Sequence, residues 1–159
     1  MDRDDTLAKD IPYCDDPDRF QVYPDVPKAI ARLNEAGFLV IVITNQSGIG
    51  RGYFDEDTLS RVHRSMMDQV SAGGGRIDDI FYCPHTPDDH CSCRKPEIGM
   101  GLAAVSKYDI DVSRSYMIGD ADKDLEFGRR LGCRRSIKVG DGIGFSDAVD
   151  MILQDVIDC

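Results

Sequence analysis

The run Phe38-Leu39-Val40-Ile41-Val42-Ile43 constrains this chain more than any other stretch. Six apolar residues in a row, mostly β-branched, offer no polar face to water. The run therefore reads as a strand covered on both sides, as in a parallel sheet. Its surroundings agree. Asp25 to Ala36 reads as a helix, with Asp25 as N-cap, Pro27 in the first turn, Ile30 and Leu33 at helical spacing, and Gly37 as the stop. Asp55 to about Ala72 reads as a long amphipathic helix whose core stripe is Leu59, Val62, Met66, Met67 and Val70, with His63 on its surface. Strands are expected at Asp79–Cys83, Ser115–Ile118 and Arg134–Val139. Helices are expected from Pro96 to Lys107 (Met100, Leu102, Ala103 and Val105 apolar) and after the acidic motif Gly119–Asp124 to about Leu131, where Gly132 breaks it. A last helix is expected after Ser146 as cap, carrying Ala148, Val149, Ile152, Leu153 and Val156. This alternation predicts an α/β fold: one doubly wound, Rossmann-like domain over residues 1–159, with a mainly parallel sheet and helices on both faces.

At 159 residues the chain is long enough for one domain with a sizeable core. No apolar run approaches the ~20 residues of a membrane helix, and the acidic N-terminus has no signal-peptide pattern. No membrane partner and a cytoplasmic location are the expectations. A net charge of −10 argues against a nucleic-acid partner, while leaving room for a small phosphorylated ligand in a local positive pocket.

Chemistry-bearing residues cluster at four places. Asp2 and Asp4 stand two apart, so an extended segment turns both carboxylates toward one space, where a hard cation such as Mg²⁺ relieves their repulsion. Such a pair can supply a nucleophile and a general acid/base; a solvated acidic turn is the plainer alternative. Thr44-Asn45-Gln46-Ser47-Gly48-Ile49-Gly50-Arg51-Gly52 follows the apolar run, at the carboxyl end of a buried strand where open α/β sheets bind ligands. Cys83, His85, Cys91 and Cys93 form a C-x-H-x5-C-x-C pattern suited to tetrahedral Zn²⁺. Four protein ligands leave no open position, so the zinc is expected to be structural; His90 is the alternative nitrogen ligand. Arg94 and Lys95 follow immediately, two cations that this loop can fix near a phosphate. Gly119-Asp120-Ala121-Asp122-Lys123-Asp124 brings a second acidic cluster to the same sheet edge, Asp120 completing a Mg²⁺ site and Asp124 supporting it. The polar segment 8–23 reads as a loop, with Asp10 and Tyr13 as candidate ligand contacts.

D-x-D-x-T at Asp2–Thr6, Thr44 after an apolar strand, Lys95, and G-D-x-x-x-D at Gly119–Asp124 resemble the four motifs of the haloacid dehalogenase (HAD) superfamily of phosphatases. Asp-Arg-Asp, TNQSG, the Cys/His loop running into Cys-Arg-Lys-Pro, and Ser115-Tyr116-Met117-Ile118-Gly119-Asp120 resemble more narrowly the heptose bisphosphate phosphatases and their relative, the histidinol-phosphate phosphatase domain. The resemblance implies that Asp2 attacks phosphorus and that Asp4 protonates the leaving oxygen and then activates water. It implies that Thr44 and Lys95 hold the phosphoryl oxygens, and that Asp2, the Asp4 carbonyl and Asp120 bind Mg²⁺. Asn45, Gln46, Ser47 and Arg94 would contact substrate. It also implies no large cap domain, hence a small substrate, and a monomer is expected. Two departures stand out. An apolar strand precedes the first Asp in the family, whereas Met1 alone precedes Asp2 here. That predicts a gap in the sheet, an untethered nucleophile and, at the extreme, an inactive zinc-stabilised remnant. And Asp5 stands where Gly is usual, a tolerable exchange if the position has φ > 0.

Overall fold

The computed structural model describes residues 1–158. Strands and helices alternate as α1 (Val26–Glu35), β1 (Ile41–Asn45), α2 (Glu56–Ala72), β2 (Asp79–Cys83), α3 (Gly99–Tyr108), β3 (Tyr116–Gly119), α4 (Asp122–Leu131), β4 (Arg135–Lys138) and α5 (Phe145–Ile157). β1 pairs in parallel with β2, Ile41 opposite Asp79, and β3 in parallel with β4, Tyr116 opposite Arg135. Instead of one continuous sheet there are two two-stranded sheets, joined through the first two residues. Met1 donates its terminal amine to the Ile41 carbonyl (2.9 Å) and accepts the Ile43 N–H (2.8 Å), while the Asp2 N–H bonds the Ile118 carbonyl (2.9 Å). One residue of backbone thus makes a rung to each sheet. The expected gap is present, a cleft of about 510 Å³ whose walls include Ile41, Ile43, Met117, Ile118 and Phe127. The expected loose nucleophile is not: these rungs fix the Asp2 backbone.

Two cores cover the two faces, as the double winding requires. Val26, Ile30 and Leu33 of α1, Val62, Met66 and Val70 of α2, and Ala148, Val149 and Ile152 of α5 gather with Leu7, Phe20 and Val42. On the other face Ile43, Cys83, Met117, Met100 of α3 and Phe127 of α4 form the smaller cluster.

Several boundaries differ from expectation for identifiable reasons. β1 begins three residues later than the apolar run and reaches through Thr44 and Asn45. The Val40 N–H is taken by the Asp78 carboxylate (2.8 Å), so side-chain bonding precedes the ladder; Leu39 is exposed. Asp25 flanks α1 but makes no side-chain cap there. Its Oδ2 instead accepts the Ser146 N–H (3.2 Å) in the first turn of α5. The N-cap of α5 is Gly144, not Ser146, and Asp147 Oδ2 accepts the Gly144 N–H (2.7 Å). Met67 is exposed rather than core, and His63 is buried rather than on the surface.

Candidate active site

Strand order carries three distant segments to one edge of the sheets. Asp2 follows the Met1 rungs, Thr44 and Asn45 end β1, and Asp120 follows β3. Lys95 enters from the loop after β2. Its ammonium is buried and lies 2.7 Å from Asp2 Oδ1 and 2.7 Å from Asp124 Oδ1. The first contact is a hydrogen bond. The second is ionic without hydrogen-bond alignment, leaving Asp124 Oδ1 buried and lacking a hydrogen-bond donor. Asp124 Oδ2 accepts the Ala121 N–H (3.1 Å). Gly119 is required here because a Cβ would collide with the Asp124 side chain.

Carboxylate oxygens of Asp2, Asp120 and Asp124 all lie within 4.8 Å of one another. Partial burial and then the Asp2 charge push the Asp120 carboxyl up from the usual carboxylate range. One lysine does not neutralise three converging carboxylates, and hard oxygens at this spacing suit a divalent cation. Thr6 Oγ1 donates to Asp120 Oδ1 (3.4 Å).

Above this centre opens a cavity of about 320 Å³ lined by Asp2, Asp4, Asp10, Tyr13 and Asn45–Gly48, with Asp120 and Lys123 on the far wall. Asp4 is fixed from two sides. The Arg3 guanidinium grips it in a fork, Nε to Oδ1 at 3.0 Å and NH2 to Oδ2 at 3.1 Å, and Gln46 Nε2 donates to Oδ2 (2.9 Å). The same Gln46 amide donates to Thr44 Oγ1 (2.9 Å), and Thr44 is fully buried beneath the cavity. Asn45 straps the lysine loop: its Nδ2 donates to the Lys95 carbonyl (3.2 Å) and its Oδ1 accepts the Lys95 N–H (2.9 Å). Ser47 lines the cavity, whereas Arg94 is outside its lining and donates to the His85 carbonyl (3.2 Å). Asp5 adopts φ +53°, the left-handed geometry anticipated for it, and its Oδ1 accepts the Asp10 N–H (2.9 Å). Burial, then the charges of Asp4 and Asp5, push the Asp10 carboxyl up. At the mouth the Tyr13 ring meets Tyr53 edge-on, centroids 4.7 Å apart.

The second cluster sits beside this one. Cys93 Sγ lies 2.9 Å from Cys83 Sγ, 3.5 Å from Cys91 Sγ and 3.2 Å from His85 Nδ1. All four donor atoms converge within 4.8 Å, close to the ~3.8 Å edges that four ligands at ~2.3 Å from a tetrahedral metal require. His90 is outside this group. For Cys91, burial opposes ionisation but the backbone N–H groups of Cys93 and Arg94 outweigh it, drawing the thiol down to about 6 and favouring the thiolate a metal needs. The Gly50 N–H bonds the Pro84 carbonyl (2.9 Å), and a Cβ at Gly50 would strike that oxygen, so the glycine lets the cavity loop lie against the thiolate loop.

Arg3, Tyr53 and Lys123 were not picked out from sequence as site residues, and His63 was read there as a surface residue. Lys123 lies between two aspartates of the acidic motif, where a charge count alone makes it a solvated cation. Arg3 sits inside the D-x-D motif, and its burial has no local signature.

A buried carboxylate gripped by a lysine, a second carboxylate across the cavity mouth and a cation-ready acidic cluster define a phosphoryl-transfer enzyme on a doubly wound α/β scaffold. Comparison with known proteins makes this specific. Residues 92–155 match the model of the HAD-hydrolase-like family. A probable D-glycero-D-manno-heptose-1,7-bisphosphate 7-phosphatase from Thermoplasma volcanium is 43% identical over 132 residues, covering 82% of this chain and 90% of the relative. The D-glycero-beta-D-manno-heptose-1,7-bisphosphate 7-phosphatase of Pseudomonas aeruginosa is 41% identical over 145 residues, covering 90% and 82%. The crystal structure of the D,D-heptose 1,7-bisphosphate phosphatase from B. bronchiseptica, complexed with magnesium and phosphate, superposes with a TM-score of 0.86 at 33% identity, covering 97% of this chain and 96% of the other. The chain belongs to the HAD-like phosphatases, phosphoric monoester hydrolases, in the group of these heptose bisphosphate enzymes.

Proposed function

We propose that this chain removes one phosphate, the 7-phosphate, from D-glycero-D-manno-heptose 1,7-bisphosphate. The observation that carries the reading is Asp2 Oδ1 held 2.7 Å from the buried Lys95 ammonium at the floor of the cavity, with Asp4 fixed above it. Asp2 attacks phosphorus; the new Asp2 O–P bond forms as the ester P–O bond breaks, and Asp4 gives its proton to the departing sugar oxygen. Asp4 then takes a proton from water, whose oxygen bonds phosphorus as the Asp2 O–P bond breaks, releasing phosphate. Lys95 and Lys123 offset phosphoryl charge, and Lys95 and the Thr44 hydroxyl hold phosphoryl oxygens. Asp2, the Asp4 carbonyl and Asp120 would hold Mg²⁺, with Asp124 behind. When bound, the cation supplies charge neutralisation for the phosphoryl group. Asn45 keeps Lys95 in place, and Gln46, Ser47, Asp10 and Tyr13 face the sugar; Arg94 ties the thiolate loop to its neighbours.

Cys83, His85, Cys91 and Cys93 hold structural Zn²⁺ in this reading, ordering the loop that delivers Lys95. A 1–159 single domain, a monomeric state, a cytoplasmic setting and a small phosphorylated sugar as the partner complete it. Support comes from the −10 net charge, unfavourable for nucleic acid, and from the absence among the described residues of a helix long and apolar enough to cross a membrane.

The test is Mg²⁺-dependent phosphate release from heptose 1,7-bisphosphate beside histidinol phosphate, with the released position assigned by ³¹P NMR. Preference for the heptose is expected, and Asp2→Asn should lower turnover by roughly 10⁴-fold or more while leaving the circular dichroism spectrum unchanged. Full activity in that variant would remove Asp2 as nucleophile.

A further inference from the structure

Arg3 is the largest fully buried side chain among the described residues, only 2% exposed, yet it stands between Asp2 and Asp4. Three segments close around its guanidinium. Asp4 takes Nε and NH2, His63 of α2 takes NH1 at 3.2 Å, and the Phe20 ring lies under it at 5.3 Å from the carbon centre. A guanidinium only donates, so His63 Nε2 is the acceptor and the ring proton sits on Nδ1. Burial, then the Arg3 charge, draw the His63 imidazolium down to about 3, so the ring is neutral and keeps that lone pair available. A fork clamped at its far nitrogen and on its face has one orientation left, and its two free donors meet both oxygens of Asp4.

We propose that His63 and Arg3 are positioning residues for the leaving-group chemistry: His63, from behind the cavity, holds Arg3 in its wall, and Arg3 sets the direction in which the Asp4 carboxyl meets the ester oxygen. This rests on the site reading given above, in which Asp4 hands its proton to the sugar oxygen. His63 touches nothing that reacts; it acts through Arg3, and Arg3 through Asp4. Gln46 holds Asp4 from the opposite side, so loss of His63 loosens the carboxyl without freeing it.

The consequence depends on the leaving group. A sugar alkoxide leaves slowly unless it is protonated as the P–O bond breaks, whereas 4-nitrophenolate is stable enough to leave as the anion. A misdirected Asp4 therefore penalises alkyl esters far more than aryl esters. The experiment measures kcat/KM for the heptose bisphosphate and for 4-nitrophenyl phosphate in the parent chain, His63→Leu and His63→Gln, with the thermal midpoint of each. His63→Leu should lower the alkyl value at least tenfold, and at least five times more than the aryl value. His63→Gln, whose side-chain carbonyl can accept from NH1, should recover most of the difference. Equal losses on both esters, or no loss on either, would overturn the proposal in favour of plain core packing. Should His63→Leu fail to fold, Arg3→Lys, which keeps the charge and loses the fork, is held to the same inequality. A parent chain inert toward both esters would instead overturn the site reading, and this assignment with it.

Discussion

The carboxylate–lysine centre and the thiolate loop are both convergent clusters of ionisable groups, yet they are built in opposite ways. The first draws Asp2, Lys95, Asp120 and Asp124 from segments up to 122 residues apart in number and encloses the lysine completely. The second takes its four donors from one stretch of eleven residues, with only Cys83 buried. Enclosure makes the first cluster depend on internal charge balance, since a buried charge without its partner is costly. The second depends on its ligands facing one another and little on the core.

Lys95→Met breaks the comparison most severely. It leaves Asp2 and Asp124 buried without their cation, and a loss of ~3–5 kcal/mol in urea unfolding is expected along with loss of turnover. High Mg²⁺ should restore part of the stability but none of the rate. Stability unaffected by this change would mean that the centre is far wetter than its burial indicates.

His63 extends the enclosed region and gives it a pH signature. Its folded-state value of about 3 lies below the ordinary 6.5, so between these pH values the unfolded chain binds the extra proton. Stability is therefore complete above about pH 6.5 and falls as pH falls, by ~1.4 kcal/mol per unit. Urea midpoints at pH 7 and pH 5 should show the parent losing about 2 kcal/mol more than His63→Gln over that span. Parallel losses in both proteins would assign the acid sensitivity elsewhere.

Cys93→Ser sharpens the other side. Only about 1 kcal/mol of stability should be lost, since the loop is half-exposed, but zinc retained through gel filtration should disappear. Turnover should fall more than stability does, because Lys95 lies two residues on. A large cooperative loss of stability would show that the loop is part of the core after all.

How far each region was legible follows from the same contrast. The thiolate loop could be read from spacing alone, and the structure brings together the four residues that the spacing selected, His85 rather than His90. The strand at Asp79–Cys83 and the helix ending at Ala72 lie where periodicity put them. The acidic centre was legible only through the strand order that puts both acidic motifs at one sheet edge, because nothing local says that Asp2 and Asp120 share a space. His63 went the wrong way for a related reason: its place on the helix gives no hint of the guanidinium that neutralises the cost of burying it.

Sequence by itself determined the alternation of strands and helices and the metal-ready thiolate set, since these rest on periodicity and short-range spacing; the candidate catalytic groups came from motifs in order and the resemblance they carry. Tertiary structure alone decided the bridging of the two paired sheets through the Met1 and Asp2 rungs, the employment of Asn45 as a strap on Lys95, and the burial of Arg3 between Asp4 and His63. Each of these is a hydrogen-bond choice among residues tens of positions apart. Only packing fixes which donors and acceptors are removed from water together and must therefore satisfy one another.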